Sequence, residues 1–489
     1  MKRFVTLLLC LLMVTSIFFA CTTEPKKPSN QTTPNGSDTT VDDGRYHADV
    51  PAKDYDGAKF IIMTRSADSS WSERAIFGEA EDETILGAST WQRNEQVMGE
   101  FGVEFVFEQV ITSIQGGTFY EVMLENMQAQ DYICDLANLG LLDAMNLLPS
   151  GILLNLQDVP YIDLEQPWWA QKSNASIALL NRQYFAINDM LLNDKLDSYA
   201  LFFNKKLFDD NNLTYPYELV ESGDWTFAEF KKLILDFGYD VNNDSRKGFE
   251  DQYGLSYQRI DSFFSGFGII GATLDENGLP EMTDFSDRIQ TAYDMMYSLR
   301  NTYDWNVFGY WDDQHMDDAV QHYLALYPRS LFVCGPLSHY PDVIPHVEDA
   351  VGVVPSPKLD ESQTDYITRA GSSGTTVITV PSTCEDRERA GIIIEALGAA
   401  AKNYTSPAFY ETLLTNRYAQ DEESKAMLAL IIETEIIDID TMTQWGYIIR
   451  QLENNVKGKN NAVASTYAKL YPAAVEKMNQ YIEKINNIE

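Results

Sequence analysis

The chain has 489 residues, room for about two to four domains at roughly 100–200 residues each; 45% are hydrophobic, with only 28 Gly and 18 Pro, which excludes a small disulfide-stapled scaffold and wholesale disorder. Lys and Arg number 36 against 73 Asp and Glu, a net charge of −37. Such a charge repels phosphate backbones and bare anionic lipid, so nucleic acid is excluded as a partner, and most of the carboxylates read as a solvated surface that discourages self-association.

In chain order, residues 1–20 open with Met-Lys-Arg and continue as an uncharged apolar run to Ala20, the pattern of a secretory signal peptide. A permanent membrane span is the alternative, but the run is short for one and a polar segment follows it. Cys21 stands directly after Ala20 and resembles the acylated cysteine of the bacterial lipobox, with Phe18 and Phe19 bulkier than is usual there. Loss of the signal removes Lys2 and Arg3 and moves the net charge from −37 to −39. Residues 21–47, rich in Thr, Pro, Asn, Ser and Asp, read as a flexible tether between lipid and domain. Strands are predicted at 59–64, 103–107, 200–203 and 375–380, and helices at 90–101, 387–402 and 472–486. The opening strand, helix, strand order is that of an α/β lobe. Between them, Asp240, Asn242, Asp244 and Asp251 fall at positions 1, 3, 5 and 12 of a loop whose spacing resembles an EF-hand, with the carbonyl of Arg246 as the position 7 ligand of a structural Ca2+. Ser245 replaces the loop's turn glycine and Asp251 its long bidentate Glu, so a metal-free, Asx-rich turn is the competing reading. Cys134, Cys334 and Cys384 are far apart and without metal spacing; they read as buried small hydrophobes, or as one disulfide plus a spare thiol.

A series of short motifs adds a resemblance: Tyr-Asp-Gly-Ala-Lys-Phe at 55–60, Trp-Gln-Arg-Asn at 91–94, Pro-Trp-Trp at 167–169, Phe-Asn-Lys-Lys-Leu-Phe at 203–208, Gly-Asp-Trp-Thr-Phe at 223–227, Val-Val-Pro-Ser-Pro-Lys at 353–358 and Asp-Glu-Glu-Ser at 421–424. In this order they resemble the extracellular solute-binding lipoproteins of bacterial ABC transporters, of the carbohydrate type related to maltose-binding protein. The resemblance implies a two-lobed, type II periplasmic-binding-protein-like α/β fold with lobes joined by crossing hinge strands. Lobe 1 is expected at 48–190 and 367–430, and lobe 2 at 191–366 and 431–489. It implies a monomer on the extracellular face of the cell membrane that captures a carbohydrate and delivers it to separate ABC permease subunits.

A sugar presents flat C–H faces and a rim of hydroxyls, so its site needs aromatic platforms beside charged or amide side chains. With 8 Trp, 27 Tyr and 24 Phe the supply of rings is ample. Trp71 after the first strand, Asn188 and Asp189 before the first crossing, Trp305, Tyr310, Trp311 and Asp312 in a ring-dense polar loop, and Trp445 are the ligand-binding candidates; Ser338 and His339 follow a turn that could also face the cleft. Trp168 and Trp169 read as scaffold, their adjacent rings pointing apart. Zinc-protease, nucleophile-elbow, Walker and dinucleotide motifs are all missing from the sequence. A lipid-anchored glycoside hydrolase, which needs only two carboxylates, is the alternative to a receptor.

Overall fold

The apolar run Ala-Lys-Phe-Ile-Ile-Met-Thr-Arg forms β1 (Ala58–Arg65), and Thr84 caps the helix Ile85–Phe101 that follows, its side chain accepting the Gly87 N–H. Gly102, at φ 60°, ends that helix in the left-handed conformation that suits glycine. The chain then returns as β2 (Val103–Val110), parallel to β1 from Ala58↔Val103 to Arg65↔Val110. With β3 (Leu136–Gly140) and the distant β12 (Thr376–Thr379) they make a sheet of order β12-β3-β1-β2, in which β12 alone runs antiparallel. The structure, a computed structural model, describes residues 44–67, 72–79, 83–110, 118–309, 319–371, 374–415 and 421–488. The signal segment and Cys21 therefore lie outside the described residues.

A second sheet, of order β10-β4-β9-β5-β8, is drawn from β4 (Tyr199–Asn204), β5 (Tyr253–Tyr257), β8 (Val307–Gly309), β9 (Ser330–Pro336) and β10 (Val351–Val354). Here β5, β8 and β9 are parallel, while β4 is antiparallel to both its neighbours. Every residue of β4 is buried, which is why it reads as an unbroken apolar run rather than an alternation. Strands β6 (Ala272–Leu274) and β7 (Pro280–Met282) form a small antiparallel pair, and β11 (Thr368–Arg369) pairs in parallel with β13 (Glu435–Ile436).

One apolar cluster fills a face of the first sheet with Phe60, Ile62, Val97, Phe101, Ile393 and Leu397. A larger one runs from its other face, at Met63, Leu139 and Met145, to Phe202, Trp225, Tyr253 and Phe332 of the second sheet. The helix Arg387–Asn403 is buried continuously from Ala390 to Ala401. Inside it Glu395 is held by the indole N–H groups of Trp168 and Trp169, each at 2.9 Å, so these adjacent rings converge on one carboxylate instead of pointing apart. Burial pushes the Glu395 carboxyl up to about 7. The helix Glu422–Glu433 packs on β10 of the second sheet. The C-terminal helix begins at Val463, not at Pro472: it runs to Asn486 with the proline inside it, its apolar face at Tyr467, Ala474, Met478 and Ile482 held against the body by burial. Cys134, Cys334 and Cys384 are free and buried, as expected of small hydrophobes. Among the described residues no helix is long and apolar enough to cross a membrane.

Candidate functional site

Two segments that carry the chain between the two sheets, 191–198 and 355–375, lie side by side, and β13 pairs with the second of them. Gly371 N–H donates to the Asp197 carbonyl at 3.0 Å, and Gly374 N–H to the Asp197 carboxylate at 2.8 Å. Thr368 and Ala370 donate to the carbonyls of Thr434 and Ile436, and Leu337 to that of Ser198. Ser198 itself donates to the buried carboxylate of Glu435. In open α/β sheets ligands sit beyond the carboxyl ends of parallel strands, and here the ends of β1 and β3 on one side and of β5 and β9 on the other adjoin these crossings.

At the end of β1, Arg65 is buried against Asp143 of the helix Leu141–Leu147, 3.5 Å away. Burial raises the pKa of Asp143 and lowers that of Arg65, with each charge acting to restore the other. The segment after β1 is fastened by Glu73, fully buried, which accepts from Ala75, Leu192 and Asn193 N–H groups and from the Thr376 hydroxyl at 2.6 Å. Next to it Arg74 reaches Asp342, beyond the end of β9, in a two-pronged ion pair of 2.9 and 2.7 Å. This pair ties the first sheet's loops to the second sheet's.

Past the end of β5, Gln258 accepts from the hydroxyls of Tyr199 and Tyr323. Asp261 then takes ion pairs from Arg259 and from Arg369 of β11, and the two guanidinium groups hold its pKa well below the usual carboxylate range despite burial. Glu453, on the helix Ile448–Lys457, is paired with Arg450 and with Lys457 at 3.0 Å. Four cations and two carboxylates thus gather where β5 meets the crossing.

Of the candidates, Trp71, Tyr310, Trp311 and Asp312 lie outside the described residues. Trp305 sits at the opening end of β8, away from the carboxyl ends of the parallel strands. Asn188 is buried, its side-chain oxygen accepting the Met190 N–H, and Asp189 takes Lys402 at 2.7 Å. Trp445 is 4% exposed, edge-on to Tyr481 at 5.4 Å, and its buried indole N–H has no partner. It follows the helix Ile439–Thr443, which packs on Leu141–Leu147. His339 is core: it shares a 3.0 Å hydrogen bond with Tyr327, lies among Phe202 and Tyr323, and is pushed down to about 3 by burial. The Arg74–Asp342 and Arg65–Asp143 pairs escape sequence reasoning because each joins residues far apart in the chain.

In the 240–251 loop most of the side-chain oxygens accept from the loop's own backbone, while the buried Asp240 Oδ1 has no hydrogen-bond partner among the described residues. Asp240 accepts from Ser245, Asn242 from Asp244, Asp244 from Arg246, and Asp251 from Val241 and Gly248. Ser245, with φ 63°, adopts the left-handed turn without glycine. No group of three or more His, Cys, Asp or Glu side chains among the described residues is arranged to hold a metal ion.

No protein-family model and no curated protein matches the chain. Its structure, however, is similar to solved ones. An ABC substrate-binding protein from Listeria monocytogenes in complex with cycloalternan aligns at a TM-score of 0.54 and 12% identity, over 88% of this chain and 100% of that one. The maltose/maltodextrin-binding domain MalE from Bdellovibrio bacteriovorus bound to maltotriose gives 0.54 and 12%, over 86% and 100%. A cyclo/maltodextrin-binding protein complexed with maltotetraose gives 0.56 and 15%, over 87% and 97%. The chain has the two-lobed α/β fold of these proteins.

Proposed function

We propose that this chain is the substrate-binding component of an ABC importer, anchored through lipid on Cys21 outside the cell, which captures an oligosaccharide between its lobes and passes it to a separate permease. The observation that carries this reading is the likeness over nearly the whole length of three structures that hold oligosaccharides, in a chain whose two sheets are joined by adjoining segments. The first lobe is taken as 48–190 with 367–430 and the second as 191–366 with 431–489. Trp71, Trp311, Asp312 and Trp445 are ligand contacts proposed from their sequence positions. Binding needs hinge closure and hydrogen bonds, with no bond made or broken in the sugar. A thermal-shift screen of the exported chain against linear and cyclic glucans and lacto-N-biose tests it. A raised melting temperature with at least one oligosaccharide is expected; no shift with any of them would count against the reading.

A further inference from the structure

In the first sheet β12 runs antiparallel to β3, with Thr376 opposite Gly140 and Thr379 opposite Ala137, so the chain leaving β12 emerges at the opening end of β3, away from the carboxyl ends that adjoin the crossings. There Leu153 bridges to Pro381, and Arg389 holds Asp135, the residue before β3, at 2.8 Å. A cavity of about 480 Å³ opens beside them, its walls drawn from the segments 151–158, 182–184 and 382–387 and from Ile488. Two guanidinium groups line it, those of the half-buried Arg182 and the exposed Arg387. Each is hydrogen-bonded only to a neutral oxygen: Arg182 donates to the Tyr184 hydroxyl and Arg387 to the Ser382 carbonyl, both at 3.3 Å. Neither forms an ion pair among the described residues. A guanidinium carries five N–H donors in a fixed fork, so most of the two sets is open to a ligand.

Carboxylates are not scarce in a chain with 73 Asp and Glu against 36 Lys and Arg, yet those close by are engaged elsewhere. Glu388 pairs with Lys53 at 2.8 Å, and Asp386 caps the helix Arg387–Asn403 by accepting the Arg389 N–H. Asp158 lines the same cavity but accepts from the Asn155 side chain at 3.1 Å and reaches neither arginine. Two positive charges against one negative leave an excess of one, which a single carboxylate matches and a doubly charged phosphate overshoots, with Asp158 opposing it. Planar guanidinium groups suit a carboxylate in particular, since they can grip both its oxygens. The rest of the lining is largely apolar, with Leu153, Leu154 and the Tyr184 ring, and the volume is that of a small-molecule pocket. We propose that this cavity is a binding site, separate from the inter-lobe cleft, for a small organic molecule that carries one carboxylate on an apolar body.

Calorimetric titration of the exported chain with benzoate, hexanoate and inorganic phosphate, at low and at physiological salt, tests it. Benzoate or hexanoate is expected to bind, less tightly as salt rises, and more tightly than inorganic phosphate. Arg182→Gln and Arg387→Gln are each expected to weaken that binding about tenfold, and Asp158→Asn, which keeps the shape and removes the opposing charge, to tighten it about threefold. A gain of affinity in Asp158→Asn is not the mark of a merely structural change, and if Arg182→Gln fails to fold, that gain and the exposed Arg387→Gln still decide. Absence of binding by both carboxylates would overturn the proposal, as would preference for inorganic phosphate, binding that survives both arginine variants, or binding that a saturating oligosaccharide displaces. The titrations need no ligand in the cleft, so they read this cavity whether or not an oligosaccharide binds.

Discussion

The Arg74–Asp342 pair is half-exposed, with side chains 38% and 37% accessible, so as a contribution to folding it is worth about 1 kcal/mol or less. Its partners belong to different lobes, so its energy counts toward the closed arrangement. Asp342→Ala is therefore expected to weaken oligosaccharide affinity about fivefold while leaving the melting temperature nearly unchanged, as titration of both proteins would register. Trp445 is the complementary case. Trp445→Phe keeps a ring against Tyr481 and deletes a buried N–H that has no partner among the described residues, so the melting temperature should hold or rise slightly, as a thermal ramp of both proteins would register. His339 bears on pH. Held neutral in the fold to about 3 but free to protonate near 6.5 when unfolded, it costs nothing above pH 6.5 and destabilises progressively as pH falls from 6.5 towards 3. At pH 5 that cost is about 2 kcal/mol, which His339→Gln should remove from the pH dependence of the urea midpoint. None of these roles was legible from residue type. His339 follows a turn that suggests a cleft, yet Phe202 and Tyr323, distant in sequence, bury it.

The elements with strong periodicity or long apolar runs were the ones the sequence could announce: β1, β2, β4, β12 and the helix Arg387–Asn403 all appear within a few residues of expectation. Pro472 misled because proline is a good helix start, whereas here tertiary packing carries the helix through it. β11 and β13, two residues each, had no local signal, because their pairing is defined only by each other. They matter for motion. A Cβ on Gly371 would lie 2.0 Å from the Asp197 carboxylate, so Gly371→Ala must displace that side chain from the Gly374 N–H. The expected cost is about 1–3 kcal/mol in urea unfolding, partly recovered by adding Asp197→Ala. The 240–251 loop carries both of its readings: its spacing suggests calcium, its side chains accept from its own N–H groups, and the buried Asp240 Oδ1 has no hydrogen-bond partner among the described residues. Chelator is expected to leave the melting temperature unchanged; a fall on chelation that Ca2+ reverses would instead assign the ion to this loop.

Across the whole molecule, the net charge of −37 says little about the ligand. Among the described residues only eleven carboxylate side chains are buried, Glu73, Asp143, Asp261 and Glu435 among them, and the carboxylates of the site are matched by arginine, lysine, backbone donors or, at Glu435, serine hydroxyls. The remaining acidic side chains read as a solvated surface that discourages self-association. The two-lobed architecture was reachable from the sequence only through resemblance, since each lobe is assembled from separate stretches of chain and periodicity is silent about which stretches meet. What the geometry adds is a pair of sheets joined by adjoining segments and bridged by the Arg74–Asp342, Arg369–Asp261 and Lys205–Asp421 ion pairs, an arrangement suited to closing on a ligand and releasing it unchanged. Equilibrium titration of the purified exported chain with an oligosaccharide panel, followed by mass analysis of the recovered sugar, tests this most directly. The account predicts one oligosaccharide bound per chain and recovered intact; cleaved sugar, or no oligosaccharide bound at all, would contradict it.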